Sequence, residues 1–480
     1  MATREQQPLL PVQAPPSSSP VRGHLLSFEA GFPSIVDEDE VLRTSSACVK
    51  TDESSWSKLA VLLTLLMSAI GSGTLSVPYT LLLLSPMEAA VVIVCVGFAM
   101  AFTADVILRV HVAMVTKSHD EQIRETYQEL ALHAGGEKLS RVVSFLAGFA
   151  VFGACVGCVR VVKDMAPSLV SMLYLPQDQL FESLAASEQQ RLVMNTVWIV
   201  FMAVVLPLGF FKKISVLRYS SYLGFVFCLY LVGAVAYRSV VGESPEASST
   251  TSPSLTRIEI HESWFSRLSV AIGIYNFTYM LHLNVIPLFP QMVASTSVKR
   301  RDRLASARRQ MSVLIYVTVG ICAVLYAAFG LCASSIYGSL TQGNILLNLA
   351  HDPIMTVPRV MILFTILFSF PLLFHPLRCL VLEMRWCGAQ PTLVTQVVVS
   401  VLLMVTQIFV ATRVPGIQVV FSFVGSSILL VLCYVMPMVF YARLYPWRAS
   451  RDGRLRMWIL VALVAVASVF CTMATIKLIN

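Results

Sequence analysis

Two glycines, two residues apart in the middle of an apolar run, are the residues of this chain best suited to chemistry. The stretch Met67-Ser68-Ala69-Ile70-Gly71-Ser72-Gly73-Thr74-Leu75-Ser76-Val77-Pro78 falls within segment 58–84, which is long enough to cross a bilayer. In hydrocarbon an unpaired backbone amide or carbonyl costs several kcal/mol, so irregular backbone survives only where it lines a cavity or is buried in protein. A helix broken at Gly71-Ser72-Gly73 leaves two half-helices. The N-terminus of the second half offers free amides and a positive dipole end for a carboxylate. The C-terminus of the first half offers carbonyls for an ammonium group or a cation. One broken helix can therefore grip both ends of a zwitterion. The plainer alternative is helix packing through small residues.

Three further stretches carry polar groups at depth. The sixth apolar segment reads Asn276-Phe277-Thr278-Tyr279-Met280-Leu281-His282-Leu283-Asn284-Val285-Ile286-Pro287, a polar and proline-interrupted pattern expected of a cavity-facing span. The eighth contains Ser369-Phe370-Pro371 and His375-Pro376-Leu377-Arg378; its prolines free carbonyls, and His375 is a residue type that titrates near neutral pH. Either a kink or a site would account for it. Asp105 is the clearest acidic residue within a span, costly there unless paired, hydrated or protonated. Arg109 lies one turn later on the same face and can pair with it, while a proton-coupling role is the other reading. Asp105, His282 and His375 are thus the proton-coupling candidates.

These residues need a membrane-embedded scaffold, and the composition supplies one. Of 480 residues 56% are hydrophobic and only 13% charged, with a mean hydropathy of +0.74. A soluble domain carries about a quarter charged residues. Apolar runs predict an all-α polytopic protein with eleven spans, at 58–84, 88–111, 141–162, 192–210, 217–237, 267–290, 310–333, 357–380, 392–411, 415–441 and 457–478. Interrupted spans one and six are what a five-plus-five inverted repeat places at the midplane. Lys and Arg gather in 1–57, 112–141, 211–218, 292–310, 378–390 and 442–457, which predicts a cytoplasmic N-terminus. The net charge of +8 reflects that bias and gives no argument for nucleic-acid binding. The Lys299–Arg309 cluster could also meet anionic lipid.

Residues 1–56 form a separate unit, rich in Pro and Ser and then acidic at Asp37-Glu38-Asp39-Glu40, and are expected to be a disordered tail before a membrane domain at 57–480. Glu5-Gln6-Gln7-Pro8-Leu9-Leu10 resembles an acidic dileucine signal, so the plasma membrane and a lysosomal or vacuolar membrane are both candidate locations. The eleven cysteines imply no disulfide framework. Cys155 and Cys158 lie in an apolar helix among glycines, where small-residue packing is expected rather than metal or redox chemistry. The sequon Asn276-Phe277-Thr278 falls inside a span and should be unused. No cofactor, no metal set and no paired catalytic groups emerge, so an enzyme is not expected.

Ile70-Gly71-Ser72-Gly73-Thr74-Leu75-Ser76-Val77-Pro78 resembles the first-span signature of the amino acid/auxin permease family, which includes sodium-coupled neutral, proton-coupled and vacuolar amino acid transporters. Similar segments follow in order: Thr126–Leu130, Leu206-Pro207-Leu208 with Lys213–Ser221, His282 with Pro287, Asn344–Asn348, Pro371 with Pro376-Leu377-Arg378, Val414–Ile417 through Ser426, and Pro437–Tyr441. The resemblance covers about residues 57–478. It implies a LeuT-type fold and alternating-access transport of amino acids, with substrate between spans one, three, six and eight. Gly71, Ser72, Gly73 and Thr74 would then meet the substrate, Thr278 and His282 would flank the span-six break, and Ser369 would lie by the ion or substrate site. The sodium-coupled branch has asparagine where this chain has Met67, and a thioether is a poor ligand for a hard cation. The acidic residue usual after span six is Gln291, and an aromatic of span three is Cys158. The expectation is a transporter of small or neutral amino acids that couples to protons more readily than to sodium. A nutrient sensor signalling through the tail, or a carrier of another organic solute, would share the same fold.

Overall fold

The computed structural model describes residues 50–118, 126–173, 184–210, 215–241, 263–296, 300–385 and 392–479. The sorting-like motif and almost all of the predicted tail lie outside them. The described residues form helices and turns without strands. Helix α1 (Lys50–Ala69) and α2 (Val77–Leu83) are joined by a tight 3-10 turn, Ser72–Ser76. Then follow α3 (Pro86–Ser118), α4 (Tyr127–Leu173), α5 (Ala186–Leu208) and α6 (Ser215–Val241). The second set is α7 (Trp264–Thr278), α8 (His282–Ala294), α9 (Arg300–Tyr337), α10 (Thr356–Arg385), α11 (Leu393–Arg413), α12 (Ile417–Leu444) and α13 (Arg451–Ile479). Nine of these helices are long and apolar enough to cross a membrane, and the pair α1–α2, bent by 44°, makes a tenth crossing. The sixth predicted span, 267–290, falls on the interrupted α7–α8 stretch, which is not among these ten crossings. Successive crossings alternate between a tail side, where α1 begins, and a far side, where α2 ends.

Breaks and kinks fall where backbone chemistry requires them. Gly136 holds φ 73° and bends α4 beside Gly135; only glycine takes that left-handed conformation without strain. Tyr127–Ala134 is a helical segment on the tail side of this kink, set off from the third span by the non-helical Gly135 and Gly136, where the sequence predicts a loop before 141–162. Counting apolar residues alone passes over such turns. Helix α12 widens into a π turn at Leu430–Val435, directly before Pro437. Proline has no amide to give, and the carbonyl five residues before it, Leu432 O, instead accepts the Tyr127 hydroxyl at 2.7 Å. A second π turn, Val200–Val205, precedes Pro207 in the same way. Pro371 and Pro376, by contrast, sit inside an unbroken α10.

The core is organised around α7, which packs most extensively on α12. A Cβ on Gly425 would run into the Gly273 carbonyl, and one on Gly273 would meet the Ser422 backbone. The two backbones therefore touch, as small residues permit in lipid. Asn276, fully buried, donates to Gly425 O at 3.3 Å and accepts from the Tyr434 hydroxyl at 2.8 Å. Its burial leaves the sequon no route to a sugar. The glycines around Cys155 and Cys158 serve packing too: a Cβ on Gly153 would collide with Val424, and one on Gly157 with the Phe421 ring. Both cysteines are free thiols.

This close approach gives a direct test. Gly425→Ala should lower stability by about 1–3 kcal/mol through overpacking, read as an earlier thermal transition in detergent. Gly320→Ala, where a new Cβ meets open space, should leave the transition unchanged or slightly raised.

Candidate functional site

The first span stops being helical at Ile70 and Gly71. Gly71 is extended (φ −125°, ψ −156°), and the chain resumes as the Ser72–Ser76 turn before Pro78 opens α2. Gly71 is exposed although Ala69, Ile70 and Thr74 are buried, and no atom lies within 4 Å of where its Cβ would be. Gly71 thus faces open space in the middle of a span. Gly73 does the opposite: a Cβ there would stand 3.1 Å from the Phe277 ring and 3.4 Å from the Thr278 hydroxyl. It is the glycine that lets the two breaks approach. Ser72 is half-buried with the Cys158 thiol 3.9 Å from its hydroxyl, which brings the third span to the break. Thr74 is buried, its amide bonded to Gly71 O at 3.1 Å.

The second break lies alongside. Helix α7 ends at Thr278, α8 starts at His282, and Tyr279–Leu281 lie outside both helices. Several side chains tie the breaks together. Ser68 donates to Met280 O at 3.3 Å and accepts from the Asn284 amide at 2.6 Å. The Thr80 and Tyr275 hydroxyls are 2.5 Å apart. Tyr326, from α9, reaches the last carbonyls of both half-helices, Ala69 O at 2.8 Å and Thr278 O at 3.4 Å. Sequence reasoning passed over Tyr326. Its only signal was a phenol inside the apolar run Ile321–Ala327.

The remaining candidates are placed as follows. The Thr278 hydroxyl is turned back onto Ile274 O at 2.7 Å. His282 is fully buried at the first turn of α8, with Nε2 2.8 Å from the Thr103 hydroxyl. That hydroxyl can donate to Ala99 O or Met100 O, so the imidazole is the donor to Thr103 when Nε2 carries the proton. Ser369 is half-buried on α10, whose main packing partners are α4 and α6 rather than the break. His375, on the same helix, has its Nδ1 3.9 Å from the Cys379 thiol, one turn from Arg378. Asp105 is buried and pairs with Arg109 at 2.6 Å. It also accepts from the Ser312 hydroxyl at 2.7 Å and lies 3.8 Å from Arg456. Its carboxylate joins α3, α9 and α13. Among the described residues no cluster of His, Cys, Asp and Glu is arranged to hold a metal ion.

On the far side, Arg160 pairs with Asp164 at 3.0 Å and donates to Pro415 O at 2.9 Å, so it is spent on contacts within the fold. Asp164 accepts from Asn344 at 3.1 Å, and Ser76 donates to Gly343 O at 2.8 Å. Arg238 and Asp352 pair at 2.8 Å. These contacts fasten the connection between α9 and α10 over α2 and the end of α4.

Residues 53–479 match the family model described as transmembrane amino acid transporter protein. A putative sodium-coupled neutral amino acid transporter 8 of Xenopus tropicalis is 23% identical over 440 residues, which is 88% of this chain and 93% of that protein. Vacuolar amino acid transporter 5 of Schizosaccharomyces pombe is 26% identical over 305 residues, 62% of this chain and 65% of that one. Among solved structures, Mhp1, a nucleobase-cation-symport-1 family transporter in a closed conformation with bromovinylhydantoin bound, superposes with a TM-score of 0.50. Its sequence identity is 11%, over 88% of this chain and 91% of that one. At that identity the likeness is one of fold, and the fold is LeuT-like.

The Asp105 cluster generates a stability test. Asp105→Ala should cost about 2 kcal/mol, less than a fully dry ion pair because Arg109 and Arg456 keep some solvent. Asp105→Asn, which still accepts from Ser312, should cost less than the alanine variant in the same melting assay.

Proposed function

The chain belongs to the transmembrane amino acid transporter family, a family of carriers rather than enzymes, and on that premise we propose that it moves small or neutral amino acids across a membrane by alternating access. The observation that carries the reading is Gly71: an exposed backbone position at mid-span, between two half-helix ends, whose Cβ direction opens onto free space. The amides that begin the Ser72–Ser76 turn, from Ser72 and Gly73, face the substrate's carboxylate, while that of Thr74 is bonded to Gly71 O. The carbonyls that end α1, other than Ala69 O, which the Gly71 amide and the Tyr326 hydroxyl occupy, face its amino group. Thr278 and His282 flank the site at the break of the sixth span, and Ser369 on the eighth would reach it only if α10 moved toward the break.

Coupling to protons is favoured over sodium. Met67 offers sulfur where a sodium ligand would be oxygen. Of the three titratable candidates, His282 takes the proton in this reading. It stands at the break, and its Nδ1 has no hydrogen-bond partner among the described residues. Asp105 is held by two guanidinium groups, and His375 lies toward the tail-side end of α10. The tail side is cytoplasmic by its Lys and Arg content, and the membrane is the plasma membrane or that of a lysosome or vacuole.

Uptake of a labelled amino acid mixture into sodium-free proteoliposomes should rise when the outside is made acidic, and no uptake with or without the gradient would refute the assignment. Gly71→Val should fold with an unchanged melting temperature, because its side chain enters open space, yet lose most of its uptake. Normal uptake by that variant would remove Gly71 from the site. His282→Gln should flatten the pH dependence of uptake, whereas Asp105→Asn should leave its shape intact.

A further inference from the structure

The last carbonyls of two half-helices converge on one phenol. Ala69 ends α1 and Thr278 ends α7. Each such end carries about half a negative charge from the aligned peptide dipoles. In lipid each carbonyl also requires a partner. In carriers with interrupted helices, such paired carbonyl ends are where a small cation is coordinated. Ala69 O accepts the Gly71 amide at 3.1 Å and, on its other lone pair, the Tyr326 hydroxyl at 2.8 Å, which also lies 3.4 Å from Thr278 O. The residue is fully buried, and its ring is fixed edge-on to Tyr279, with centroids 5.2 Å apart.

We propose that the Tyr326 hydroxyl is a built-in substitute for a bridging cation: its proton holds together the two half-helix ends that a metal ion would otherwise join. The proposal rests on the transporter reading for its meaning but not for its test. A hydroxyl proton has one direction, so the bond to Ala69 O is the strong one and that to Thr278 O is a weak second branch. Such a link holds the breaks in register and still lets α7 separate from α1 without releasing an ion. It also fits Met67, because a site closed by a proton on oxygen needs no further oxygen ligand from the first span. Removing the hydroxyl leaves Thr278 O without this donor and frees one lone pair of Ala69 O, which keeps the Gly71 amide, so both oxygens face a gap beside the open space at Gly71. A dehydrated lithium or sodium ion with a water molecule can fill that gap, since hard cations take oxygen ligands.

The test is melting of the purified, full-length protein in N-methyl-D-glucamine, sodium and lithium chloride at matched ionic strength, with no amino acid present. The wild type should melt at the same temperature in all three salts. Tyr326→Phe and Tyr326→Ser should melt lower than the wild type in N-methyl-D-glucamine and regain roughly 3 °C in sodium or lithium, as expected when an ion binds only the folded state. A merely structural tyrosine would give variants that melt equally low in every salt, and that result overturns the proposal. So does a wild type that is itself stabilised by sodium. If neither variant folds, a wild type stabilised by sodium still overturns the proposal. The melting assay needs no transport, so an absence of uptake would count against the amino acid reading and leave this one standing.

Discussion

Every backbone amide and carbonyl within the hydrocarbon must find a partner inside the protein, and this chain leaves two helices unfinished at the same depth. That constraint organises the rest of the molecule. The ends of α1 and α7 cannot face lipid, so they face each other and the phenol of Tyr326. Ser68, Asn284 and Met280 O make a second tie between the two spans. To bring the breaks this close, α7 must lie against α12 with almost nothing between them, hence Gly273 opposite Gly425 and Gly73 against the Phe277 ring. Phe277 is in turn stacked on Phe421, with centroids 4.3 Å apart. The open space at Gly71 is what remains once those requirements are met.

Charged residues follow a different rule. A carboxylate or guanidinium in or near the membrane is costly alone, and in this fold the described ones mostly bind elements together near either end of the bundle. Asp105 gathers Arg109, Arg456 and Ser312 from three helices toward the tail side. Asp164, Arg160, Arg238 and Asp352 hold the far-side connection in place, together with Arg359, which bonds to Ser168 and to Ala350 O. The centre, between these two tied ends, is held by hydroxyls, amides and backbone rather than by ion pairs. Neutral dipoles can release and reform at lower cost than buried charges.

The sequence by itself determined the class of the molecule, the approximate place of each span and the position of both breaks. Those features are local: apolar length sets a crossing, and Gly71, Gly73 and Pro78 close together weaken a helix at that point. It also placed Arg109 beside Asp105, because four residues along a helix always share a face. It did not separate the two glycines of the break, one open and one packed, since that depends on which side of the turn α7 occupies. Nor did it place a helical segment at Tyr127–Ala134 or show why that tyrosine matters, because its acceptor, Leu432 O, is orphaned by a proline some three hundred residues away. Only the tertiary structure brought Arg456 to Asp105, Thr103 to His282 and Tyr326 to the two half-helix ends. The physical reason is the same in each case: hydrophobicity and chain stiffness act along the sequence, whereas a buried polar group takes its partner from whichever element the packing sets beside it.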